Sequence, residues 1–542
     1  MELHSLTLRQ QKVLLFVILG CLLALYLTQL TRFGIWYDEG IEYLFSKFMT
    51  GPLPDNVIAN AEGSNNMYDR IVSTCQPPLY NIFMYIWLSI SDSYISFRLA
   101  GVIVTFIGAI GFYKALKSVS SNYYCALIGL MSYLLLPCIM FYGLESAEYN
   151  LMLCFVSWGL YYFWESILGI ETKVTKKNVV AFLIFASLAA YSQYGAILIM
   201  GLMYLILLTI FIIRKNMAIV RFTIAGVIVV IVLLGIPLIL FFMLPQLEHQ
   251  QTLVVSHTPV FVNNIFYSLW LGIRQLIEFI FHSSRFMPLA TITFGIILIG
   301  SLLYGKYGNK NLLILLIAVA ANYILYFILV AFSFYAYNAW DGHRGCYNLG
   351  GRYTLYMVPL ILMALCYWVY LLYNNMIRHG RYRIVRNLFF FGAVSIYVLA
   401  LIRTPFIWQK DKGEKEAYNA WIKAEGYNYY TLVANFQNPA FQFYYMHSDK
   451  YNPSTQGINV FGEGYWSRNS NPDEVYRHLD EMGVFSRDTV ILVSSSVFGN
   501  TTKLKNHDEA MLRAGYHPVY ILDNRSRERD LTSVVRYTKH PK

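Results

Sequence analysis

The sequence predicts a polytopic α-helical membrane protein of about eleven transmembrane helices with a small α/β domain at its C-terminal end. Three observations carry this. Of 542 residues, 57% are hydrophobic and 13% charged, about half the charged share of an ordinary soluble chain. The basic residues gather in short segments between apolar runs of span length. After Arg403-Thr404-Pro405 the composition turns polar, and no further run of that length follows.

The spans fall at about 12–31, 94–114, 121–141, 149–170, 178–192, 194–213, 219–243, 287–304, 311–332, 353–373 and 387–404. The first apolar run, Val13 to Leu30, is span length and has no small-residue cleavage site, so it is expected to stay as a helix. With the N-terminus cytoplasmic, the inner segments carry Arg9 and Lys12; Lys114 and Lys117; Lys173, Lys176 and Lys177; Arg214, Lys215 and Arg221; Lys306 and Lys310; and Arg378, Arg381, Arg383 and Arg386. Each is short and nearly free of acids, as positive-inside orientation requires. The net charge of +11 is therefore an orientation signal, and no nucleic-acid partner is expected. The run from Pro78 to Ile90 is too short to span, and counting it would reverse the charge pattern. It is expected to be an amphipathic or re-entrant helix at the outer face. An odd number of spans leaves the C-terminus outside.

The domain reading is 1–404 transmembrane, including an outer loop at 32–93, and 405–542 soluble. In the latter, strand-like runs (Thr431 to Phe436, Thr489 to Ser494, Pro518 to Leu522) alternate with helical patterns (Pro472 to Met482, Leu504 to Ala514), which predicts an α/β domain. It has no Gly-rich nucleotide fingerprint, and the chain shows no internal repeat.

The unusual polar residues collect on the outer face. Asp38 and Glu39 follow the first span in Gly34-Ile35-Trp36-Tyr37-Asp38-Glu39-Gly40. Adjacent carboxylates there suit a general base or a divalent cation, and equally the opening turn of an interfacial helix. Glu145 and Glu148 stand in a very short loop, where acids are costly unless partnered or hydrated. Arg98, just inside the outer end of the second span, either snorkels to the interface or holds a phosphate. Gly350-Gly351-Arg352-Tyr353 opens a span with glycines before an Arg, a pattern suited to a charged ligand. Asp341 and His343 are weak metal candidates, and a divalent metal is left open as cofactor. The seven cysteines lack metal-ligand spacing. Cys75 and Cys346 both fall on outer segments, where the sequence does not decide whether they pair.

In order, these motifs are the Asp38-Glu39 dyad, Gln76-Pro77-Pro78-Leu79-Tyr80, Phe97-Arg98-Leu99, Tyr142 to Tyr149 with Glu145, Tyr191-Ser192-Gln193-Tyr194, and Arg352-Tyr353 before a span containing Pro359. The series resembles the GT-C superfamily of membrane glycosyltransferases over about residues 12–370. The resemblance is to the branch holding the protein O-mannosyltransferases, the lipid A aminoarabinose transferases and their bacterial relatives. It implies a GT-C-like fold and an inverting transfer of a sugar from a polyprenyl-phosphate donor to an acceptor hydroxyl of a glycan, lipid or protein at the outer face. Asp38 is then the base, with Glu39 and Glu145 as further catalytic candidates. Arg98 and Arg352 would hold the donor phosphate, and Tyr353, Gln76, Tyr80, Tyr149 and Tyr194 are candidates for substrate contact. Two departures stand out. Relatives usually carry His where Gln76 and Gln193 stand, and often Arg in place of Ala147, so the head-group or metal roles of those positions are not carried over. The alternatives are a flippase or exporter of lipid-linked sugars, or a polymerase or ligase of lipid-linked glycans.

Overall fold

The computed structural model describes residues 7–31, 34–50, 68, 71–72, 76–169, 172–247, 265–281, 309–332, 335, 349–378, 414–433, 438–451, 458–460, 471–496, 501–523 and 531–540. The chain divides into two compact units. One comprises Met1–Leu30, Thr74–Tyr80 and Arg98–Trp408; the other comprises Thr31–Ser73, Asn81–Phe97 and Gln409–Lys542. Most of the first outer loop thus belongs with the C-terminal segment, while the short stretch holding Gln76 and Tyr80 belongs with the helices.

Among the described residues of the helical unit, eight helices are long and apolar enough to cross a membrane, and nine if one bent pair is a single span. The protein is an integral membrane protein. The nine correspond to nine of the spans expected from sequence; the other two, 287–304 and 387–404, lie outside the described residues. Helix α1 (Leu8–Gln29) starts at a reciprocal cap, with Gln10 N donating to Thr7 Oγ1 (3.3 Å) and Thr7 N to Gln10 Oε1 (2.9 Å). Helix α2 (Tyr37–Lys47) carries the first acidic dyad, and α3 (Leu79–Ile90), at 12 residues, is too short to span. Helix α4 runs Tyr94–Ser120.

The next span is broken. Helices α5 (Tyr123–Leu135) and α6 (Pro137–Leu144) meet at 58°. Pro137 explains the break, since a residue before proline is driven out of the helical region, and Leu136 is extended at φ −65°, ψ 129°. Tyr26 and Tyr123 tie α1 to α5 by donating to Leu134 O and Gln11 O, each at 2.7 Å. Helix α7 (Tyr149–Leu168) packs against α4. A Cβ at Gly101 or Gly108 of α4 would lie within 2.7 Å of Asn150 Nδ2 or 2.8 Å of Cys154 Cα, the close approach that small residues permit between spans.

Helices α8 (Thr172–Ser192) and α9 (Gly195–Ile213) follow, then α10 (Met217–Leu247). Helix α10 widens to π-helical turns at Ile231–Gly235 and Ile239–Met243, on either side of Pro237, which lacks the N–H a regular turn would use. The sequence reading assigned no element to the next helix, α11 (Ile265–Phe281). Helix α12 (Lys310–Ala331) precedes a 3₁₀ segment (Leu349–Met357) that leads into α13 (Val358–Arg378).

The second unit holds a five-stranded sheet in the order β2-β1-β3-β5-β4. The strands are β1 (Tyr430–Val433), β2 (Ile458–Val460), β3 (Thr489–Ser496), β4 (His517–Asp523) and β5 (Leu531–Thr538). β1 is parallel to β2 and β3, with Thr431 opposite Ile458 and Leu432 opposite Leu492. β5 is antiparallel to β3 and β4, with Leu492 opposite Val535. Both faces are covered. Val490 and Leu492 pack with Val475, Leu479 and Met511 from α16 (Pro472–Glu481) and α17 (Thr501–Arg513). Ile491 and Val493 pack with Trp421, Phe441 and Tyr445 from α14 (Glu414–Lys423) and α15 (Asn438–Met446). A strand buried on both sides reads as a continuous apolar run, which is what Val490 to Val493 is.

Candidate active site

In the helical unit the site grows from the four residues joining α6 to α7. Glu145 N–H donates to Phe141 O (3.1 Å), which ends α6, and Asn150 Nδ2 donates to Glu145 O (3.1 Å). This folds the turn inward, and Glu145, Ser146, Ala147 and Glu148 are all buried. Two adjacent buried carboxylates are costly while both are charged. Burial lifts the Glu148 carboxyl well above its usual range, and the charge of Glu145 adds to this. A hydrogen bond from its own backbone, the Arg352 cation and Tyr149 pull the other way. A carboxyl held neutral in this way is able to donate a hydrogen bond.

Arg352 lies in the 3₁₀ segment, half-buried, with Cζ 5.4 Å from the Tyr353 ring centroid. Tyr335 meets Tyr353 edge-on at 6.2 Å and Tyr326 at 5.8 Å. Burial raises the Tyr335 phenol. A Cβ on Gly195, the first residue of α9, would stand 2.4 Å from Tyr335 Oη and 2.7 Å from both Gln193 Oε1 and Tyr356 Cδ1. Glycine is what allows these polar groups to converge there. A polar chain adjoins them: Tyr194 Oη donates to Gln246 Oε1 (2.7 Å), and Gln246 Nε2 donates to Gln76 O (2.8 Å). Tyr149 packs edge-on with Tyr142 at 4.7 Å, and Tyr142 reaches Phe279 of α11 at 6.0 Å.

Of the residues singled out from sequence, Glu145, Tyr149, Tyr194, Gln76, Arg352 and Tyr353 thus fall within linked contacts of this unit. Tyr80 is buried in it as well. Arg98 is buried, and its Nη1 donates to Leu30 O (3.1 Å), one of the carbonyls a helix leaves open at its C-terminus. Glu148, Tyr335 and Gln246 were not among the assigned site residues. Glu148 had its place in the same turn as Glu145. Gln246 had a signal too, as a buried amide at the end of the very apolar run 217–247. Tyr335 had none.

The acidic dyad lies in the other unit. Glu39 is fully buried and its Oε2 accepts from Trp36 N (3.4 Å), while Asp38 is half-buried. One turn on, buried Glu42 accepts from Asn81 Nδ2 (2.8 Å). Lys47 Nζ (2.5 Å) and Tyr43 Oη (3.0 Å) donate to Asp92, and His447 Nε2 lies 3.4 Å from the same carboxylate. Burial alone would raise Asp92; hydrogen bonds from His447 and Lys47, with their charge, outweigh it and bring it to about 2.

Among the described residues no group of three or more His, Cys, Asp and Glu side chains is arranged to hold a metal ion. Asp341, His343, Cys75 and Cys346 lie outside the described residues.

No family model matches the chain, and no curated protein does. Solved structures do. ArnT from Cupriavidus metallidurans in the apo state aligns with a TM-score of 0.56 at 13% identity, covering 98% of this chain and 99% of that one. The same protein bound to undecaprenyl phosphate aligns at 0.54 and 13% identity, covering 96% and 97%. The likeness runs nearly the whole length of both chains: this chain has the fold of that protein.

Proposed function

We propose that the protein is an inverting membrane glycosyltransferase that moves a sugar from a polyprenyl-phosphate donor to an acceptor hydroxyl of a glycan, lipid or protein. In this reading the N-terminus is cytoplasmic, and the reaction and the C-terminal domain are on the outer side. The observation that carries it is the assembly of buried Glu145 and Glu148 with half-buried Arg352 and tyrosines in a chain whose fold is that of a protein solved with undecaprenyl phosphate.

The chemistry follows from the bond changes. The acceptor oxygen attacks the anomeric carbon, its proton passes to a carboxylate, and the bond from that carbon to the phosphate oxygen breaks with the electron pair leaving on the phosphate. A base and a cation are the groups this needs. Asp38 is assigned as the base. Arg352 is assigned to the phosphate, because a guanidinium meets two phosphate oxygens at once; Arg98 is a second candidate for that role. Glu148, held neutral, is suited to donate a hydrogen bond to a sugar or phosphate oxygen without repelling the donor.

The test is transfer by the purified protein in liposomes, given polyprenyl-phosphate sugars with a radiolabelled sugar and a cell-envelope extract as acceptor. Label in a glycan, lipid or protein together with free polyprenyl phosphate supports the reading. Movement of intact donor across the bilayer without cleavage would make the protein a flippase, and joining of oligosaccharide blocks would make it a polymerase.

A further inference from the structure

The start of α2, where Asp38 stands, is held by the C-terminal part of its own unit in two ways. Ile35, three residues before Asp38, is fully buried, and its N–H donates to Tyr444 Oη of α15 at 2.5 Å. Gly40, two residues after Asp38, abuts the first turn of the same helix: a Cβ there would lie 2.4 Å from Pro439 C and 2.5 Å from Ala440 N. Both obstacles are backbone atoms, so no side-chain movement relieves them. Further along α2, Tyr43 packs edge-on against Phe443 at 4.7 Å, and Asp92 receives Lys47 of α2 and His447 of the α15 side. Asp38 is thus bracketed by an N–H bonded to one turn of α15 and a backbone contact with another. Tyr418 stacks on Tyr444 at 5.5 Å and fixes the ring that accepts the bond.

We infer that Tyr444 and Gly40 are positioning residues for Asp38, and that the C-terminal α/β domain serves the transfer reaction by setting where the Asp38 carboxylate stands. This rests on the reading of Asp38 as the base. A carboxylate that must meet an acceptor hydroxyl at hydrogen-bond distance is sensitive to its backbone, since a displacement of about 1 Å can cost about 100-fold in rate. Neither Tyr444 nor Gly40 needs to touch substrate for this.

Tyr444→Phe removes the acceptor for the Ile35 N–H and keeps the ring that stacks on Tyr418. It should lower kcat by about 10- to 100-fold and leave the KM for the polyprenyl-phosphate sugar unchanged. In an Asp38→Asn background it should have no further effect, because residues acting through one group are not additive. Gly40→Ala should act in the same direction. A second readout is independent of catalysis. In Asp38→Cys protein, the rate at which an anionic methanethiosulfonate modifies residue 38, read by peptide mass spectrometry, should change severalfold when Tyr444→Phe is added. If the labelling rate changes while kcat does not, the positioning stands and Asp38 is not the base. Unchanged labelling with unchanged kcat overturns the inference. So does a loss of rate by Tyr444→Phe that is as large in Asp38→Asn protein as in the wild type.

Discussion

Glu148 and Asp92 are both carboxylates that the fold partners with other charges, and the two units treat them in opposite ways. Glu148 in the helical unit is buried beside a second carboxyl, and desolvation outweighs the Arg352 charge, so its proton is held above the usual range. Asp92 in the sheet unit keeps about a third of its side chain exposed and collects Lys47, Tyr43 and His447, and it falls to about 2. Partner number and solvent access decide the sign. An acid kept protonated is a hydrogen-bond donor within a tyrosine cluster; an acid kept ionised fastens chain segments. The contrast makes the first unit's acid a candidate for chemistry and the second's a clamp. Asp38, half-buried in the clamped unit, is the exception assigned to chemistry there.

The largest expected effect tests that exception. Asp38→Asn keeps shape and removes basicity, so transfer should fall by about 10²–10⁴ while donor binding, measured by equilibrium binding of labelled lipid, stays near wild type. Glu39→Gln should be mild, because the amide oxygen still accepts from Trp36 N. Full activity in Asp38→Asn protein alongside a dead Glu145→Gln variant would move the base to the helical unit.

Next in size, Arg352→Lys keeps the charge and loses the two-pronged contact. Activity should fall by about tenfold, with weaker donor binding in the same assay. A variant that binds and turns over normally would reduce Arg352 to a partner of Tyr353.

Glu148→Gln tests the raised acid through pH. A carboxyl whose folded value is raised contributes stability that is full below its unfolded value and is lost as pH rises through the folded one. The wild-type unfolding midpoint should therefore decline from mildly acidic to alkaline pH, and Glu148→Gln should flatten that decline. The smallest effect has the opposite slope. The contribution of Asp92, lowered to about 2, is present above the ordinary Asp value of about 4 and is lost as pH falls toward 2. Its partly exposed setting limits it to about 1 kcal/mol or less. Asp92→Asn should remove only this acid-side loss, as read by thermal unfolding between neutral pH and acid.

Much of the fold was legible because its signals are local. A run of apolar residues needs no partner to be recognised as a span, and among the described residues nine such runs, counting one bent pair as a single span, are helical at the expected places. Pro137 stood in plain view, but its consequence was not anticipated: the third span is two helices at 58°. Helix α11 is not legible as a span because its buried face, with Leu276, Ile277 and Phe279, alternates with exposed Tyr267, Trp270 and Arg274, and no span-length apolar run results. In the candidate site the reading named Arg352 and Glu145 from their types and neighbours. It did not find Tyr335, since a tyrosine among 45 carries no pattern, nor Gln246, whose one signal is an amide at the end of the very apolar run 217–247.

The sequence by itself determined what depends on short-range chemistry: which segments must leave water, how the basic loops flank them, and the order of motifs that resembles the GT-C enzymes. Only the tertiary structure decided that the turn at Glu145 and Glu148 is buried, that Arg352 and Tyr335 come to Glu148 from segments about 200 residues away, and that the loop carrying Asp38 is grouped with the C-terminal sheet. The physical reason is that a carboxyl's protonation and a loop's position depend on desolvation and on partners brought from distant parts of the chain, and neither quantity is written in the residues next to it.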